Sequence, residues 1–512
     1  MKHSTVVSTA QDAPAISQHS CHNCRRQRLR CDRTTPECSK CIKRGQECLG
    51  YQRLFRWQED FACRRKLSAA RSRNEPEDDG CANASALAIA LPPSSLTDPL
   101  VQDLDRKSKL YISYFAGNVC RNLVLYDSPK QNPFRNLIPL IHQFPVLGQI
   151  IIATSALHMF NSSQTHSQER KPLIDRAGFN PYLDALTTKQ RALKMLRHAV
   201  LEGTSGAADV VLAVMILFIE FELMDFGRSD WKHHIEGART VIRGLCRARL
   251  SGTQTTSPIR SCLISNWMVF DILASTATSP NTESPLDAMP DSVTPHMENL
   301  LRDAEGTHCS SFPATLLQLL QSGTQLSNTR MSLQAKHNQL FMLVCAAKSF
   351  DPLIWATELQ PRSPSADLQQ RARVARAHKA AVTIYLSRLL LSTYPDTKPS
   401  CDFEAMVMEI VDNISDVRRH DDLFSATTWP AFVAGAESNV VDMRKRVAAR
   451  FRELWKVEPW GLMRRALETM ETIWAIKSVR IENGATCSPN DGIRDGDWIL
   501  YLKETGVDWL IL

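Results

Sequence analysis

The sequence predicts a two-part fold: a small cysteine-rich module near the N-terminus and a large all-α domain, joined by a disordered linker. Three observations support this fold class. Six of the fifteen cysteines fall between residues 21 and 48 in a repeated spacing. From about residue 98 onward, apolar residues recur at helical intervals, with no convincing series of alternating strand residues. Between the two parts lies a stretch of clustered charges that ends in two prolines and two serines at 92–95.

The composition divides the 512 residues into four segments. Residues 1–20 are polar and predict a disordered N-terminus, and residues 21–48 form the cysteine module. Residues 49–97 are first basic and then acidic, as expected of a disordered linker. Residues 98–512 predict the all-helical domain, which is long enough to bury a large core.

The cysteine module repeats one spacing, C-x2-C-x6-C, with the second copy 17 positions after the first. Two cysteines three positions apart on a helical turn can direct both sulfurs at one ion, and the third cysteine returns from the following loop. Six thiolates are too few for two separate four-cysteine sites, but they suffice if two thiolates bridge two zinc ions. The spacing therefore predicts a site for two Zn²⁺, with the ligands Cys21, Cys24, Cys31, Cys38, Cys41 and Cys48.

A disulfide framework is the alternative for these cysteines, and it would need an oxidising compartment. The N-terminal sequence lacks the apolar stretch of a signal peptide, which argues against that compartment. The other nine cysteines are scattered without C-x2-C pairing, as expected of single buried thiols under reducing conditions. The longest apolar run, at 210–219, is too short to cross a bilayer, so we expect a soluble protein without membrane contact.

Basic side chains crowd the module. Eight lysine and arginine residues lie between Cys21 and Cys48 against three acidic residues, and two zinc ions on six thiolates would leave a net charge of +3. A purely structural zinc site does not require so many basic side chains, whereas a surface that binds phosphates does. Residues 21–74 carry a net charge of +10, and residues 1–20 carry a net charge of zero. Because the whole chain carries +7, residues 75–512 carry a net charge of −3. The charge that would attract a polyanion is therefore local to the N-terminal part, with a merely solvated basic face as the alternative.

The module resembles the signature of the fungal Zn2Cys6 binuclear-cluster transcription factors, in the sequence CHNCRRQRLRCDRTTPECSKCIKRGQEC. The match includes all six cysteines, the basic run after Cys24, and Pro36. The next stretch, CLGYQRLFRW, is similar to the subgroup that contains the acriflavine-sensitivity control protein. Residues 231–238 resemble a W-x2-H-x2-G-A stretch of the helical regulatory domain in the same family. The resemblance implies a small Zn2Cys6 binuclear cluster domain followed by an all-α regulatory domain.

The resemblance also implies how the cysteines share the two ions. In that family the first and fourth cysteines bridge the zinc ions, and each C-x2-C pair opens a short helix, here at about 22–29 and 39–46. One zinc would take Cys21, Cys24, Cys31 and Cys38, and the other would take Cys38, Cys41, Cys48 and Cys21.

DNA contacts are implied in the same way. The first helix would point into the major groove of a CGG-type half-site, with Arg28 as the base-reading residue because arginine suits guanine O6 and N7. Gln27 occupies the neighbouring position, which is commonly lysine in the family. Arg25, Arg30 and Arg33 fall where the family contacts phosphates, and such contacts position the protein without specifying sequence.

From these residues we expect a nuclear, sequence-specific transcription regulator of RNA polymerase II genes. Its expected partners are double-stranded DNA and the transcription machinery or co-regulators, and the subgroup implies a secondary-metabolite gene cluster or a drug response. Two alternatives stay open: a zinc-stabilised protein-interaction module without direct DNA reading, and an enzyme in the helical domain. No G-x-S-x-G, G-x4-G-K-[ST], H-E-x-x-H or G-x-G-x-x-G motif occurs, so nothing in the sequence calls for an enzyme.

A homodimer is expected only through the helical domain. Many Zn2Cys6 proteins dimerise through a coiled coil just after the cluster. Here Leu54, Phe61 and Leu67 do not sustain heptads over three or more repeats. Any dimer contact should therefore lie in residues 96–512.

Within the helical domain, His233 and His234 could suggest a metal site. Only Glu236 joins them at ligand spacing, so we interpret them as core or capping residues, and Gly237 as a point of close helix packing. Residues 275–312 are rich in Ser, Thr, Pro and Asp and predict a long loop. Helices are predicted at 104–123, from 132, and at 144–160, 182–200, 207–224, 231–247, 258–274, 313–322, 333–348, 365–393, 402–418, 440–456 and 460–479.

Overall fold

The computed structural model describes residues 19–27, 29–35, 37–46, 48, 102–128, 132–165, 179–202, 208–225, 230–250, 257–278, 294–359, 367–394, 401–482, 497–505 and 509–512. The chain divides into two compact units, residues 1–89 and 90–512. Residues 1–18 of the predicted N-terminal tail, the whole of the predicted linker at 49–97, and Arg28 lie outside the described residues.

In the first unit, two short helices each begin directly after the first cysteine of a C-x2-C pair: α1 spans His22–Arg26 and α2 spans Ser39–Ile42. Both are shorter than the helices predicted at 22–29 and 39–46. After α1 the Leu29 N–H turns back to the Cys24 carbonyl, at 2.8 Å. After α2 the backbone of Gly45 has a φ of +63°, a conformation that ends helices and that glycine adopts without strain. Each helix therefore stops after about one turn, and the chain is free to return with the next cysteine.

The described residues of the second unit are mostly helical, and none of them is assigned to a strand. One helix is followed by a π-turn at Phe115–Val119 and a single α-helical turn at Cys120–Asn122, and short 3₁₀ helices lie at Arg135–His142 and Ser425–Thr427. The α-helices are α3 (Arg106–Tyr114), α4 (Pro145–Thr165), α5 (Pro181–Glu202), α6 (Ala208–Met224), α7 (Trp231–Leu250), α8 (Pro258–Ala277), α9 (Thr294–Thr307), α10 (Ala314–Asn328), α11 (Leu333–Ser349), α12 (Pro352–Leu359), α13 (Leu368–Thr393), α14 (Phe403–Ser415), α15 (Thr428–Glu437), α16 (Val441–Val457), α17 (Gly461–Glu482) and α18 (Trp498–Glu504).

The predicted all-α fold is confirmed. The loop predicted at 275–312 is wrong at 294–307, while its residues 279–293 lie outside the described residues. Residues 294–307 form α9, which buries Leu300, Leu301 and Ala304. The helix begins at Thr294 and carries a proline at its first turn, where a missing backbone N–H costs nothing. The Pro- and Ser-rich composition before it therefore marks the approach to a helix rather than a loop as far as residue 312. The helix predicted from 132 is a 3₁₀ segment instead, with Pro139 inside it.

The core of the second unit is organised around α13. Sixteen of its 26 residues are buried, and it packs against α10, α11, α12, α14 and α15. Helix α6 is buried from Val210 to Met224, in contact with α4, α7 and α8. No described helix has by itself both the length and the apolar composition of a membrane span, whereas α11 and α12 meet those criteria when taken together across a 65° bend.

The scattered cysteines do not all behave as predicted. Cys120 is buried, and burial raises the pKa of the Cys262 thiol to about 12, as expected of inert thiols. Cys345 is exposed on α11, so the prediction of a buried thiol is wrong there. Cys63, Cys81 and Cys487 lie outside the described residues.

Close helix packing at Gly435 gives a first testable expectation. A Cβ atom at this position of α15 would lie 2.3 Å from the Met470 Sδ and 2.9 Å from Val447 Cγ1. The methionine can move, but the β-branched valine is stiff, so Gly435→Ala should lower the free energy of unfolding by about 1–3 kcal/mol. The matched control is Gly244→Ala on the surface of α7, where no atom lies within 4 Å and alanine should add up to about 1 kcal/mol. Chemical denaturation of both variants checks the pair; equal effects would contradict the packing argument.

Candidate metal centre and nucleic-acid interface

The structure brings the six cysteines of the module into two overlapping groups. Each group holds four Sγ atoms within 4.8 Å of one another. Cys21 and Cys38 belong to both groups. Cys24 and Cys31 complete the first group, and Cys41 and Cys48 complete the second.

Sulfur–sulfur distances test whether zinc fits. The Sγ atom of Cys21 lies 3.5 Å from that of Cys38 and 3.8 Å from that of Cys41, and Cys24 Sγ lies 3.7 Å from Cys38 Sγ. A tetrahedral Zn²⁺ with Zn–S bonds of about 2.3 Å requires its sulfurs to be roughly 3.8 Å apart. The four-sulfur groups therefore have the spacing of tetrahedral zinc sites, and they are built from the ligand that structural zinc prefers.

Backbone N–H groups complete the cage in two matching halves. Cys24 donates to the Cys21 Sγ and Cys41 to the Cys38 Sγ, both at 3.4 Å. The Cys21 N–H points to the Cys31 Sγ and the Cys38 N–H to the Cys48 Sγ, both at 3.5 Å. Each of these N–H···S contacts in the first half recurs 17 positions later in the second half, which is the period of the sequence repeat. Donors aimed at sulfur stabilise thiolate charge and orient the ligands.

Burial of the sulfurs disfavours the ionisation of three of the thiols. Burial raises the pKa of Cys21 and of Cys24, and it raises the pKa of Cys38 to about 12. Burial also acts on Cys31, but hydrogen bonds from the Cys21 and Arg33 backbones outweigh it and lower the pKa to about 7. Metal ligation needs thiolates, so loading this cage releases protons and weakens in acid.

Asp32 was not singled out by sequence reasoning, although it joins the two halves of the module. Its Oδ2 accepts hydrogen bonds from the Ser39 backbone N–H at 3.0 Å and from the Thr34 hydroxyl at 2.8 Å. The same hydroxyl lies 3.0 Å from the Glu37 carbonyl oxygen. Hydrogen bonds from Ser39 and Thr34 lower the pKa of Asp32, which keeps it ionised at the N-terminus of α2. The contact spans seven positions across a loop, so no local capping pattern announces it.

Those predicted DNA contacts that the structure describes lie on the surface of the module. Arg25, Arg30 and Arg33 are exposed, and Arg33 has a φ of 66°. Gln27 is tied to the second half, because its Nε2 donates to Gln46 at 3.3 Å and its Oε1 accepts from Arg44 at 3.0 Å. Sequence reasoning did not foresee this tie. Arg28 lies outside the described residues, and three further exposed basic residues on the module are Lys40, Lys43 and Arg44.

In the second unit the two neighbouring histidines differ. His233 is exposed, whereas His234 stacks on Phe218 with ring centroids 4.6 Å apart. Burial lowers the pKa of His234 to about 4, so it is neutral and packs as part of the core. Gly237 allows close packing as predicted, since a Cβ there would lie 3.2 Å from the Met215 Cε. Among the described residues, the groups with metal-ligand spacing are those of the cysteine module.

Comparison with known proteins agrees with this organisation. Residues 19–58 match the fungal Zn(2)-Cys(6) binuclear cluster domain, and residues 109–511 match the fungal specific transcription factor domain. The chain is 28% identical to the acriflavine sensitivity control protein acr-2 of Neurospora crassa, over 97% of this chain and 98% of that protein. It is 21% identical to the phomenoic acid biosynthesis cluster-specific transcriptional regulator of Leptosphaeria maculans, over 89% of this chain and 85% of that protein. No solved structure matches.

Proposed function

We propose that this chain, which belongs to the fungal Zn2Cys6 transcription factor family, is a nuclear regulator of genes transcribed by RNA polymerase II. It would read CGG-type half-sites upstream of those genes. The observation that carries the proposal is the doubled cysteine cage under a coat of exposed basic side chains. That combination joins a metal-built fold to a surface that attracts phosphates. The rest of the chain is slightly acidic and offers no comparable charge.

The cage is the site of two zinc ions, as the binuclear cluster domain that matches residues 19–58 and the two groups of four sulfurs indicate. Cys21 and Cys38 would bridge the ions, since their sulfurs are the two shared by both groups of four. The zinc ions supply structural cross-links, and the protein supplies neutralising N–H donors. The full ligand set is Cys21, Cys24, Cys31, Cys38, Cys41 and Cys48.

DNA reading is proposed to divide between one base contact and several phosphate contacts. Arg28 would bind guanine O6 and N7 in the major groove. The exposed side chains of Arg25, Arg30 and Arg33 would bind phosphates. Gln27 would hold the reading helix against the second half of the module through its bonds to Arg44 and Gln46, in addition to any contact it makes with a base.

A pair of arginine substitutions tests this division. Arg28→Ala should cost about 1–3 kcal/mol of discrimination between CGG-containing and random duplexes. Arg30→Ala removes the same charge, so it should weaken binding to both duplexes alike and lower the slope of log affinity against log salt by about one unit. Gel-shift titrations at several salt concentrations give both quantities. If Arg28→Ala weakened both duplexes equally, Arg28 would not be the base reader, and if the wild type bound neither duplex, the module would be a protein-interaction site instead.

The helical unit is proposed to regulate rather than catalyse, through co-regulator contacts, effector binding or self-association into a homodimer. The names of the two relatives point to a drug response or to a secondary-metabolite gene cluster as the controlled process. Genome-wide occupancy mapping distinguishes these: bound sites clustered around one biosynthetic locus favour the second, and dispersed sites at transporter genes favour the first.

A further inference from the structure

Helix α11 carries apolar side chains on two faces, and in the part of the chain that the structure describes only one of these faces is buried. Leu340, Val344 and Ala347 are buried, and the helix packs against α10 and α13. The other face carries Phe341 and Met342, which are 46% and 65% exposed. A soluble helix normally places charged residues there.

The exposed residues of α11 recur at helical spacing. Asn338, Phe341, Met342 and Cys345 are all exposed and follow one another at helical spacing, so they share one side of α11. Leu353 and Ile354, in the first turn of α12, are exposed as well. We call this the α11–α12 face, made up of Asn338, Phe341, Met342, Cys345, Leu353 and Ile354.

An open groove borders the face. It has a volume of about 740 Å³ and runs between α10 and α11. Leu326 and Leu343 form apolar parts of its wall, and Gln325 and Asn338 contribute side-chain amides. Met342 lines the groove and also projects from the exposed side of α11 beside it, and we call this projection the Met342 ridge. All the side chains that line the groove are uncharged. A groove without charged side chains offers no electrostatic attraction to DNA or to a charged peptide. Two copies of such a neutral surface can associate without repulsion between like charges.

The exposed apolar area approaches what a dimer of standard size needs. Phe341, Met342, Leu353 and Ile354 are each 45–65% exposed. Side chains of this size leave on the order of 400 Å² of apolar surface in water, within the range of the largest apolar patch on a typical monomer. A specific interface buries about 800 Å² per partner, of which somewhat more than half is apolar.

We propose that the α11–α12 face binds the same face of a second copy of this chain, with the Met342 ridge of each copy seated in the α10–α11 groove of the other. A ridge beside a groove on one surface is self-complementary, as a two-fold interface requires. The inference deepens the proposed function, because a dimer would bring two cysteine modules to one duplex. Self-association itself is measurable without DNA, so the two ideas can fail separately.

The test is sedimentation equilibrium of the full-length protein and of two methionine variants. Wild-type protein should have twice the 57.6 kDa mass of the chain at low micromolar concentration. Met342→Glu should raise the dimer dissociation constant at least about thirty-fold, the effect of losing a central apolar contact at an interface. Met408→Glu is the matched control, since Met408 is 49% exposed on α14, away from the α11–α12 face, and it should leave the dissociation constant unchanged.

Circular dichroism melts of both variants confirm that each is folded before association is compared. A wild type that stays monomeric would overturn the proposal. So would a Met342→Glu protein that still dimerises with wild-type affinity, or a Met408→Glu protein that loses affinity to the same extent. Loss of the dimer in Met342→Glu alone supports it, whether or not either protein binds DNA.

Discussion

Replacing Cys21 with alanine should unfold the cysteine module and abolish zinc binding at both positions. The module has almost no apolar core of its own: among its described residues, Leu29 is the only non-cysteine hydrophobic side chain packed against the cysteines. Zinc must therefore supply the stability, and in small finger peptides it contributes on the order of 10–16 kcal/mol. Because the Cys21 sulfur lies in both groups of four, its loss removes a ligand from each ion at once.

Elemental analysis and chelator titration of full-length protein measure this effect. Wild type should contain two zinc ions per chain, and Cys21→Ala should contain close to none. Cys24→Ala should be milder, since the Cys24 sulfur belongs to one group only. Cys345→Ala removes an exposed thiol of the helical unit and should leave the zinc content unchanged. One zinc per wild-type chain would rule out the two-ion cage, and equal losses in Cys21→Ala and Cys24→Ala would rule out the bridging role.

That the six cysteines meet around metal was predictable from their local spacing, because six thiolates can serve two zinc ions only if two of them are shared. Which two are shared was implied by the family resemblance alone. The amphipathic helices were predictable for a similar reason, since burial of one face leaves a period in the sequence. Helices α5, α7 and α13, for example, begin within three residues of their predicted starts.

Other features of the fold leave no periodic pattern of apolar residues in the sequence. Helix α15 is buried at all ten positions, so no polar face reveals it, and it was missed. Glu220 directly follows the longest apolar run of the sequence, and the predicted helix at 207–224 does not reveal that its carboxyl is buried in the core. Burial raises the pKa of Glu220, and the neighbouring Glu458 carboxyl adds to the effect. The sequence reveals neither the burial of Glu220 beside Glu458 nor the hydrogen bonds that Asp32 accepts from Thr34 and Ser39. The first depends on contact between distant segments, and the second follows no local capping pattern.

The second large effect expected is a gain in affinity from a second CGG half-site, made by full-length protein and not by its N-terminal part. A single module buries only about 600–1,000 Å² on DNA, which limits its affinity. A dimer turns binding of the second module into an intramolecular step, and such linkage raises overall affinity by about 10²–10⁴-fold. The basic surplus ends at residue 74, so residues 1–95 should carry the DNA affinity and residues 96–512 should carry none.

The measurement compares duplexes with one and with two half-sites at a fixed salt concentration of about 150 mM, because affinities at different salt are not comparable. Full-length protein should gain from the second half-site, the 1–95 fragment should not, and Met342→Glu should behave like the fragment while keeping wild-type affinity for one half-site. Met408→Glu should retain the gain. An equal gain by protein and fragment would place dimerisation in the N-terminal segment, and no gain by either would indicate a monomeric regulator. A gain that survives Met342→Glu would leave dimerisation in the helical unit but move it away from the α11–α12 face.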